Sequence, residues 1–447
     1  MRCAAPPAVT PFVKSVIGTM VALIFGVAAA TARADTLSEL KAQIDALQKK
    51  VEELEQKQAQ AQPAPTPPPA QAVTAGATKG SIKLPGSDTS LTLGGYLKLD
   101  AIYSDRSAGT APQGNQFLFP SLIPVGPTAG NNVKNQLTVH ARQSRLFLRT
   151  STPSSYGEIT TWLEGDFFGA DGNETVSNSH NFRLRHAYGS IGNLSAGQYW
   201  SNFINEAAFP DTLDFGGPVG EIFIRQAQVR WTQPFTGGDW SVSAENPESL
   251  IAQRGTATLF RSDRDLHPDL TGRLRFNTDF GKYSLQVLAR NIRIDSAAAP
   301  AAVGDKWGGA ISATGVIPTI GKDDFRFVGS YGNAIGRYQE LGFFPDGYLD
   351  ASGQIKLANV VSGFAAYRHY WSPSLRSSLV LSAARASNPS GTFGAINRRS
   401  ESAHVNLIWS PTVPVNLGAE YIFGKRVVED GREGNLNRVQ VSAQYGF

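Results

Sequence analysis

From Ser90 to Phe447 short stretches of the chain alternate apolar and polar residues, most plainly at the end. Val439, Val441, Ala443, Tyr445 and Phe447 are apolar or aromatic, and Arg438, Gln440, Ser442, Gln444 and Gly446 between them are not. Successive side chains of a strand point to opposite faces, so this tail is predicted to be a strand with one apolar and one polar face. Leu91, Leu93, Leu97, Leu99 and Ala101 alternate in the same way with Thr92, Gly94, Lys98 and Asp100. Fourteen further stretches lie near 136–150, 158–168, 181–191, 194–200, 221–232, 239–245, 268–279, 282–294, 306–316, 324–332, 358–371, 374–386, 399–410 and 414–426. The total is sixteen, with fourteen and eighteen the neighbouring even counts. Connections after the odd-numbered stretches run from about nine to about thirty residues, whereas those after the even ones, such as Gly192-Asn193, Phe280-Gly281, Ser372-Pro373 and Pro411-Thr412-Val413, are turn-like. No repeat of solenoid or propeller type is visible, since the hairpins differ too much in length.

The N-terminus changes what these strands mean. Arg2 and Lys14 precede an uncharged apolar stretch, Ser15 to Ala30, and Ala32-Arg33-Ala34 has the small-x-small form of a cleavage site. This is the pattern of a secretory signal peptide spanning 1–34, with a mature chain beginning at Asp35. The alternative, an N-terminal membrane anchor, needs about 20 apolar residues, more than are present. Mean hydropathy is below zero, and no later segment reads as a transmembrane helix. Hydrocarbon leaves backbone polar groups no outside partner, so a spanning protein built from strands must close on itself. The fold class expected is therefore all-β: a transmembrane antiparallel β-barrel of sixteen strands over 90–447, preceded by a short N-terminal coiled-coil helix. Tyr445 and Phe447 resemble the aromatic C-terminal insertion signal of bacterial outer-membrane barrels, which implies the outer-membrane assembly machinery as a partner.

Residues 35–60 form a different module. Leu37, Leu40, Ile44, Leu47, Val51 and Leu54 recur at spacings of three and four, an a/d heptad seam. Branched residues at a with Leu at d lean towards two strands, but the seam does not fix the number. The alternative is an amphipathic helix lying on its own barrel. Pro63-Ala64-Pro65-Thr66-Pro67-Pro68-Pro69 opens a Pro-rich linker expected over 61–89. With an even strand count both ends lie on the periplasmic side, placing the coil within reach of peptidoglycan.

Charge and cysteine usage exclude other classes. The single cysteine, Cys3, lies within the signal, so the mature chain has no thiol for a disulfide or a metal. The net charge of +4 includes three basic residues of the signal, and nothing in it points to nucleic acid. Within 90–447 there are 25 Arg and seven Lys. A guanidinium fork grips carboxylates and phosphates, where an ammonium is a point charge.

Arg183 and Arg185 alternate with Phe182 and Leu184, and Arg273 and Arg275 with Leu274 and Phe276; Arg290 opposes Val287 and Ala289. Charge on the lipid face at mid-bilayer costs about 2–4 kcal/mol, so these arginines are expected to line the lumen. Arg142, Arg145, Arg149, Arg225 and Arg230 lie where apolar parity switches along the strand, which requires a bulge or an end above the membrane. The other reading of such arginines is pairing with acids, or lipopolysaccharide binding at the rim. Two connections, Asp105 to Asn135 with Phe117, Leu118, Phe119, Pro120 and Leu122, and Ser201 to Gly220 with Phe209 to Pro218, are apolar for exposed loops. They are expected either to fold inward or to pack at a subunit contact or rim. The six histidines show no metal-ligand spacing and no phosphate-binding or nucleophile-elbow motif occurs, so neither metal, cofactor nor catalytic residue is assigned. Ser402, His404 and Asn406 share a strand face, an order that would suit a lipase, but Ala403, Val405, Leu407 and Trp409 form the outward face.

The chain resembles the DcaP-like trimeric porins over nearly all of its mature length. The resemblance rests on the heptad segment, the Pro-rich linker, Leu93-Gly94-Gly95-Tyr96, Arg142-Gln143-Ser144-Arg145-Leu146, and Gly197-Gln198-Tyr199-Trp200-Ser201-Asn202-Phe203 followed by Phe209 to Gly217. It implies a homotrimer in the Gram-negative outer membrane, among lipid and lipopolysaccharide, that admits small anionic solutes, notably dicarboxylic acids. The alternatives are a general or phosphate-type anion porin, and an envelope tether whose coil binds peptidoglycan.

Overall fold

The computed structural model describes residues 34–60, 74–106, 113–126, 134–169, 177–262, 265–294 and 304–447. Two units divide it, Met1–Ala72 and Val73–Phe447. In the first, helix α1 spans Ala34–Gln60. Ile44, Leu47, Val51 and Leu54 are 42%, 63%, 52% and 60% exposed on it. The side chains of Leu37 and Leu40, the expected signal before Ala34 and residues 61–73 lie outside the described residues.

The second unit is a closed antiparallel barrel of sixteen strands. They are β1 Ser90–Arg106, β2 Lys134–His140 continuing as Arg145–Thr152, β3 Ile159–Asp166, β4 Arg183–Ile191, β5 Leu194–Trp200, β6 Arg225–Phe235, β7 Gly238–Glu245 and β8 Asp269–Thr278. The second half comprises β9 Gly281–Ile294, β10 Gly304–Pro318, β11 Asp324–Gly332, β12 Asn359–Ser372, β13 Leu375–Ser387, β14 Asn397–Trp409, β15 Val415–Val428 and β16 Glu433–Gly446. The barrel closes where β16 pairs with β1, from Tyr96↔Gly446 to Ser104↔Arg438. Closure leaves no edge, which a sheet in hydrocarbon requires.

The polarity is the reverse of a soluble protein's. In register across five strands, Leu379, Val405, Tyr421, Val439 and Tyr103 form one outward row, each 43–50% exposed. Their neighbours Ser378, His404, Glu420, Arg438 and Ser104 point inward and are buried. Turns at the end where β1 begins and β16 ends are short, as at Gly192 (φ 55°) and Asn193, where a left-handed residue suits glycine. Loops at the other end are long, except that β15 and β16 extend into a hairpin joined by only four residues, 429–432.

Two irregularities interrupt the ladders, and the first accounts for the parity switch read around Arg142–Arg149. β2 is broken by a turn at Ala141–Ser144, closed by Ser144 N–H donating to Ala141 O at 3.0 Å. Above it Leu137 and Val139 face out; below it Leu146 does. The gap in the ladder is filled by the Ser144 hydroxyl, which accepts from Lys98 N at 3.0 Å. A second shift, at Glu164/Gly165, lies opposite Arg183–His186. Two sequence boundaries need correction. Residues 74–89, expected to be linker, fold against β1: Ile82–Lys83 pairs with Ser90–Leu91, and Ala77 N donates to Ser90 Oγ at 2.8 Å. The stretch predicted as a strand from 221 begins at Arg225, because 221–224 belongs to a loop inside the barrel.

Candidate functional site

Three connections fill much of the barrel from the long-loop end. In the first, between β1 and β2, Leu118 and Ile123 pack on Ile422 and Leu436 of the inner wall. Glycine makes the room: a Cβ on Gly424 would lie 2.8 Å from Leu118 Cδ1. Arg438, fully buried, donates to Ser104 Oγ at 2.9 Å and to Gly114 O at 2.6 Å beneath this segment.

The second connection, 201–224 between β5 and β6, crosses the lumen as a strap. Asn202 N donates to Glu245 of β7 at 2.8 Å, and Asn205 Nδ2 to Thr314 of β10 at 2.8 Å. Asp211 pairs with Arg376 of β13 at 2.5 Å and its carbonyl accepts from Asn406 of β14 at 2.7 Å. Leu213 N donates to Glu420 of β15 at 2.7 Å, and Leu213 O accepts from Lys98 of β1 at 2.6 Å and Gln440 of β16 at 2.9 Å. The strap returns by Gly220, which packs so tightly on Gly363 of β12 that a Cβ there would lie 1.9 Å from the carbonyl oxygen. Both loops expected to fold inward or to pack at a contact or rim thus fold inward.

A third inward segment, between β11 and β12, escaped sequence reading. Ile335, Tyr338, Phe343, Phe344 and Phe203 of the strap share one buried cluster. Phe223 N donates to Tyr338 O at 3.0 Å and Glu340 N to Glu221 O at 3.1 Å, so strap and segment meet at an isolated antiparallel bridge between Ile222 and Gln339. The signal was present in Leu341 and Phe343-Phe344, as apolar as the strap's own residues. Glu340 and Leu341 hold left-handed φ of 26° and 55°, strain kept by this packing. Glu221 and Glu340 are buried here, and neither carboxylate oxygen of Glu340 has a hydrogen-bond partner. Burial pushes both carboxyls well above the ordinary carboxylate range; the charge of Asp214 adds to it at Glu221, and those of Glu221 and Asp214 add to it at Glu340.

Strap and segment leave open a cavity of about 840 Å³ against β2–β8, lined by Arg145, Trp162, Glu164, Tyr188, Tyr199, Glu206, Arg230, Arg273 and Arg275 among others. The candidate arginines divide into three groups. Arg183, Arg185 and Arg275 face the lumen but are paired: Arg183 with Asp166 at 2.8 Å, Arg185 with Glu164 at 2.7 Å and Asp166 at 2.9 Å, and Arg275 with Asp239 at 2.7 Å. Arg145 lies over the Tyr96 ring at 5.2 Å and 3.4 Å from Glu164. Arg149, Arg225, Arg230 and Arg273 have no carboxylate at ion-pair distance among the described residues. Arg149 lies beside Trp162 at 6.0 Å, Arg225 over Trp200 at 4.5 Å and Arg230 over Tyr199 at 4.4 Å. Arg273 donates to the strap at Ile204 O, 2.9 Å away.

Two arginines expected to line the lumen do not face open space. Arg290 is 0% exposed, between Asp269 at 3.0 Å and Asp346 at 2.7 Å, with Ala334 O accepting at 2.6 Å. Arg142, 1% exposed, donates to Phe167 O at 3.0 Å and to the Gln116 side chain. Each is buried because it ties a loop to the wall. Alternation predicts which way a side chain points, not whether a loop covers it.

The profile of the DcaP outer membrane protein family matches residues 23–447. The chain belongs to that family. The outer membrane channel DcaP of Acinetobacter baumannii is similar at TM-score 0.70 and 25% identity, over 84% of this chain and 100% of its own. OmpT, an outer membrane protein of Vibrio cholerae, shares the fold alone, at TM-score 0.51 and 9% identity over 81% and 99% of the two chains. A comparison with curated proteins returned no match. Like other DcaP-family barrels, this protein is a porin of the Gram-negative outer membrane, a channel rather than an enzyme.

The serine–histidine pair fits that reading. Ser402 Oγ lies 3.2 Å from His404 Nε2, and His404 Nδ1 lies 3.3 Å from Glu420 Oε1. The spacing resembles a hydrolase relay, but all three residues are buried beneath the strap. Ser402 Oγ accepts from Val219 N at 3.3 Å, and Glu420 accepts from Leu213 N and Asp214 N. These groups latch the strap to the wall. Among the described residues no cluster of His, Cys, Asp and Glu is placed to hold a metal.

Proposed function

We propose that this porin admits small anionic solutes, dicarboxylic acids above all, by diffusion past the strap along the β2–β8 wall. The observation that supports it is the set of guanidinium groups without a carboxylate partner, Arg149, Arg225, Arg230 and Arg273. Fixed, dry-backed cations replace part of the hydration a dianion sheds in a narrow passage, and their spread over several strands keeps each interaction weak enough for release. Aromatic rings behind Arg225 and Arg230 hold those side chains in place without neutralising them. The working unit is a homotrimer, exported by the N-terminal signal, inserted by the barrel assembly machinery through Tyr445 and Phe447, and carrying its α1 coil in the periplasm. Planar-bilayer recordings test the reading: reversal potentials in a KCl gradient should report anion preference, and succinate should block chloride current more strongly than acetate. A cation-selective channel overturns it, and equal block by mono- and dicarboxylates returns the simpler anion porin.

A further inference from the structure

The outer wall carries an unexplained pairing of chemistries. Val287, Ile311, Tyr331, Val361, Arg385, Arg399 and Val427 lie in one register row across β9–β15. Their strand neighbours Ser312, Ser330, Ala384 and Ser400 are buried towards the interior, so the row faces outward. At its β9–β12 end is an apolar groove of about 500 Å³ whose floor is lowered by Ala313 and Gly329, with Ile311, Tyr331 and Val361 as walls. Nothing lies within 4 Å of where a Cβ on Gly329 would stand. At the other end Arg385, Arg398 and Arg399 enclose a pocket of about 190 Å³ with Val427.

The row climbs as it goes. Ile311 is mid-strand in β10, whereas Arg385 and Arg399 sit at the long-loop ends of β13 and β14. Adjacent strands are about 4.8 Å apart, so the first guanidinium-bearing strand borders the groove directly. Arg385 and Arg398 make no hydrogen bond or ion pair among the described residues. Arg399 is ion-paired through its Nε with Glu401 Oε1 at 3.2 Å. Unpaired arginines on the outward face of a membrane barrel are costly unless an anion meets them at the interface.

We propose that this surface binds a phosphorylated, acylated glycolipid of the outer leaflet, the lipid A of lipopolysaccharide, with a phosphate on Arg385, Arg398 and Arg399 and an acyl chain in the groove from Val361 to Val287. The order of the two parts is the order of such an amphiphile, headgroup towards the long-loop side and chain towards mid-membrane. The guanidinium forks supply charge-assisted bonds to phosphate oxygens, and the small residues admit a chain that a smooth wall would not.

Full-length protein purified in mild detergent would be incubated with Kdo2-lipid A or with the same lipid lacking its phosphates, and bound lipid counted by native mass spectrometry. Wild type should retain the phosphorylated lipid about tenfold more than the dephosphorylated one. Arg385→Gln with Arg398→Gln and Arg399→Gln should lose that preference, while Arg432→Gln, a loop residue already paired with Asp430 at 2.9 Å, should keep it. Equal retention of both lipids by wild type overturns the proposal and does not depend on any variant assembling. So does unchanged preference in the triple variant, or thermal stabilisation by inorganic phosphate alone equal to that by lipid. A single thiol from Arg385→Cys should react with maleimide in the lipid-free oligomer and be shielded by Kdo2-lipid A. Shielding without lipid would mean that a second copy covers this wall, and would also overturn it.

Discussion

Replacing Arg230 and Arg273 with Gln separates unneutralised from neutralised charge in this lumen. A carboxylate about 4 Å from a guanidinium gains about 1 kcal/mol in bulk water and about 4 kcal/mol at an effective dielectric of 20. The cavity against β2–β8 is open to water, so the lower figure applies, and losing two charges weakens the binding of a dianion by about 2 kcal/mol, or roughly thirtyfold. The matching control is Arg275→Gln with Asp239→Asn. That pair, 2.7 Å apart, loses one charge of each sign, leaving net charge unchanged, and its block should stay within about threefold of wild type. The assay is the concentration of succinate that halves chloride current in planar bilayers, repeated at low and high salt. High salt should narrow the gap, because the Debye length falls to about 3 Å at 1 M. Arg230→Lys with Arg273→Lys should hold the reversal potential better than the block, since charge survives and the fork does not. Because Arg273 also holds the strap at Ile204 O, heat-resistant migration of each variant must match wild type. Equal block in the Gln pair and wild type refutes the argument, as does an equal loss in the charge-neutral control.

Three further outcomes follow from the loops. Glu420→Ala removes the acceptor for Leu213 N, Asp214 N and Asn406 and should loosen the strap, raising single-channel conductance and open-channel noise; unchanged noise would mean the strap is held by its other ties. Glu221 and Glu340 have raised carboxyl pKa values, so the stability their neutral forms lend is complete below the ordinary Glu pKa and is lost as pH rises towards their folded values. Noise should therefore grow as pH is raised from the ordinary Glu range upward in wild type and less in Glu340→Gln, and identical profiles would count against the buried pair. Deleting Phe447, whose N–H and C=O exchange bonds with Gly95 at 3.1 Å, should lower outer-membrane levels by opening the β1–β16 seam at its end.

Alternation carried most of the fold. It placed sixteen strands because lipid on one side and water on the other impose a period of two on nearly every strand, and the long and short connections gave a second, independent count. It also located the breaks: apolar residues move from odd positions at Leu137 and Val139 to an even one at Leu146, and the turn at Ala141–Ser144 lies between. The site was less legible. Arg290 and Arg273 have the same signature in sequence, an arginine opposed by apolar neighbours. One is sealed between Asp269 and Asp346; the other meets the cavity. What separates them is a carboxylate more than fifty residues away on a folded-in segment, and a local pattern holds no information about that distance.

The lumen combines many paired arginines with a few unpaired ones because its walls do different work. A strap that crosses a barrel must be fixed at many points, or it would move with the solute. Here fixation uses ionic and polar ties to β13–β16 and β1. Arg376, Glu420, Lys98 and Gln440 are spent on the strap, and their charges are matched or turned onto backbone atoms. The β2–β8 wall is touched by fewer strap ties, and there Arg149, Arg225 and Arg230 rest on aromatic rings, which orient a guanidinium while leaving its charge intact. On the proposed function, one half of the barrel supplies rigidity and the other recognition. Mutations on the latch side should therefore alter conductance and noise with little change in ion preference, and mutations at Arg149, Arg225 or Arg230 should do the opposite. A latch variant such as Asn406→Ala that shifted reversal potential as much as Arg230→Gln, at unchanged conductance, would show that the two halves are not divided in this way.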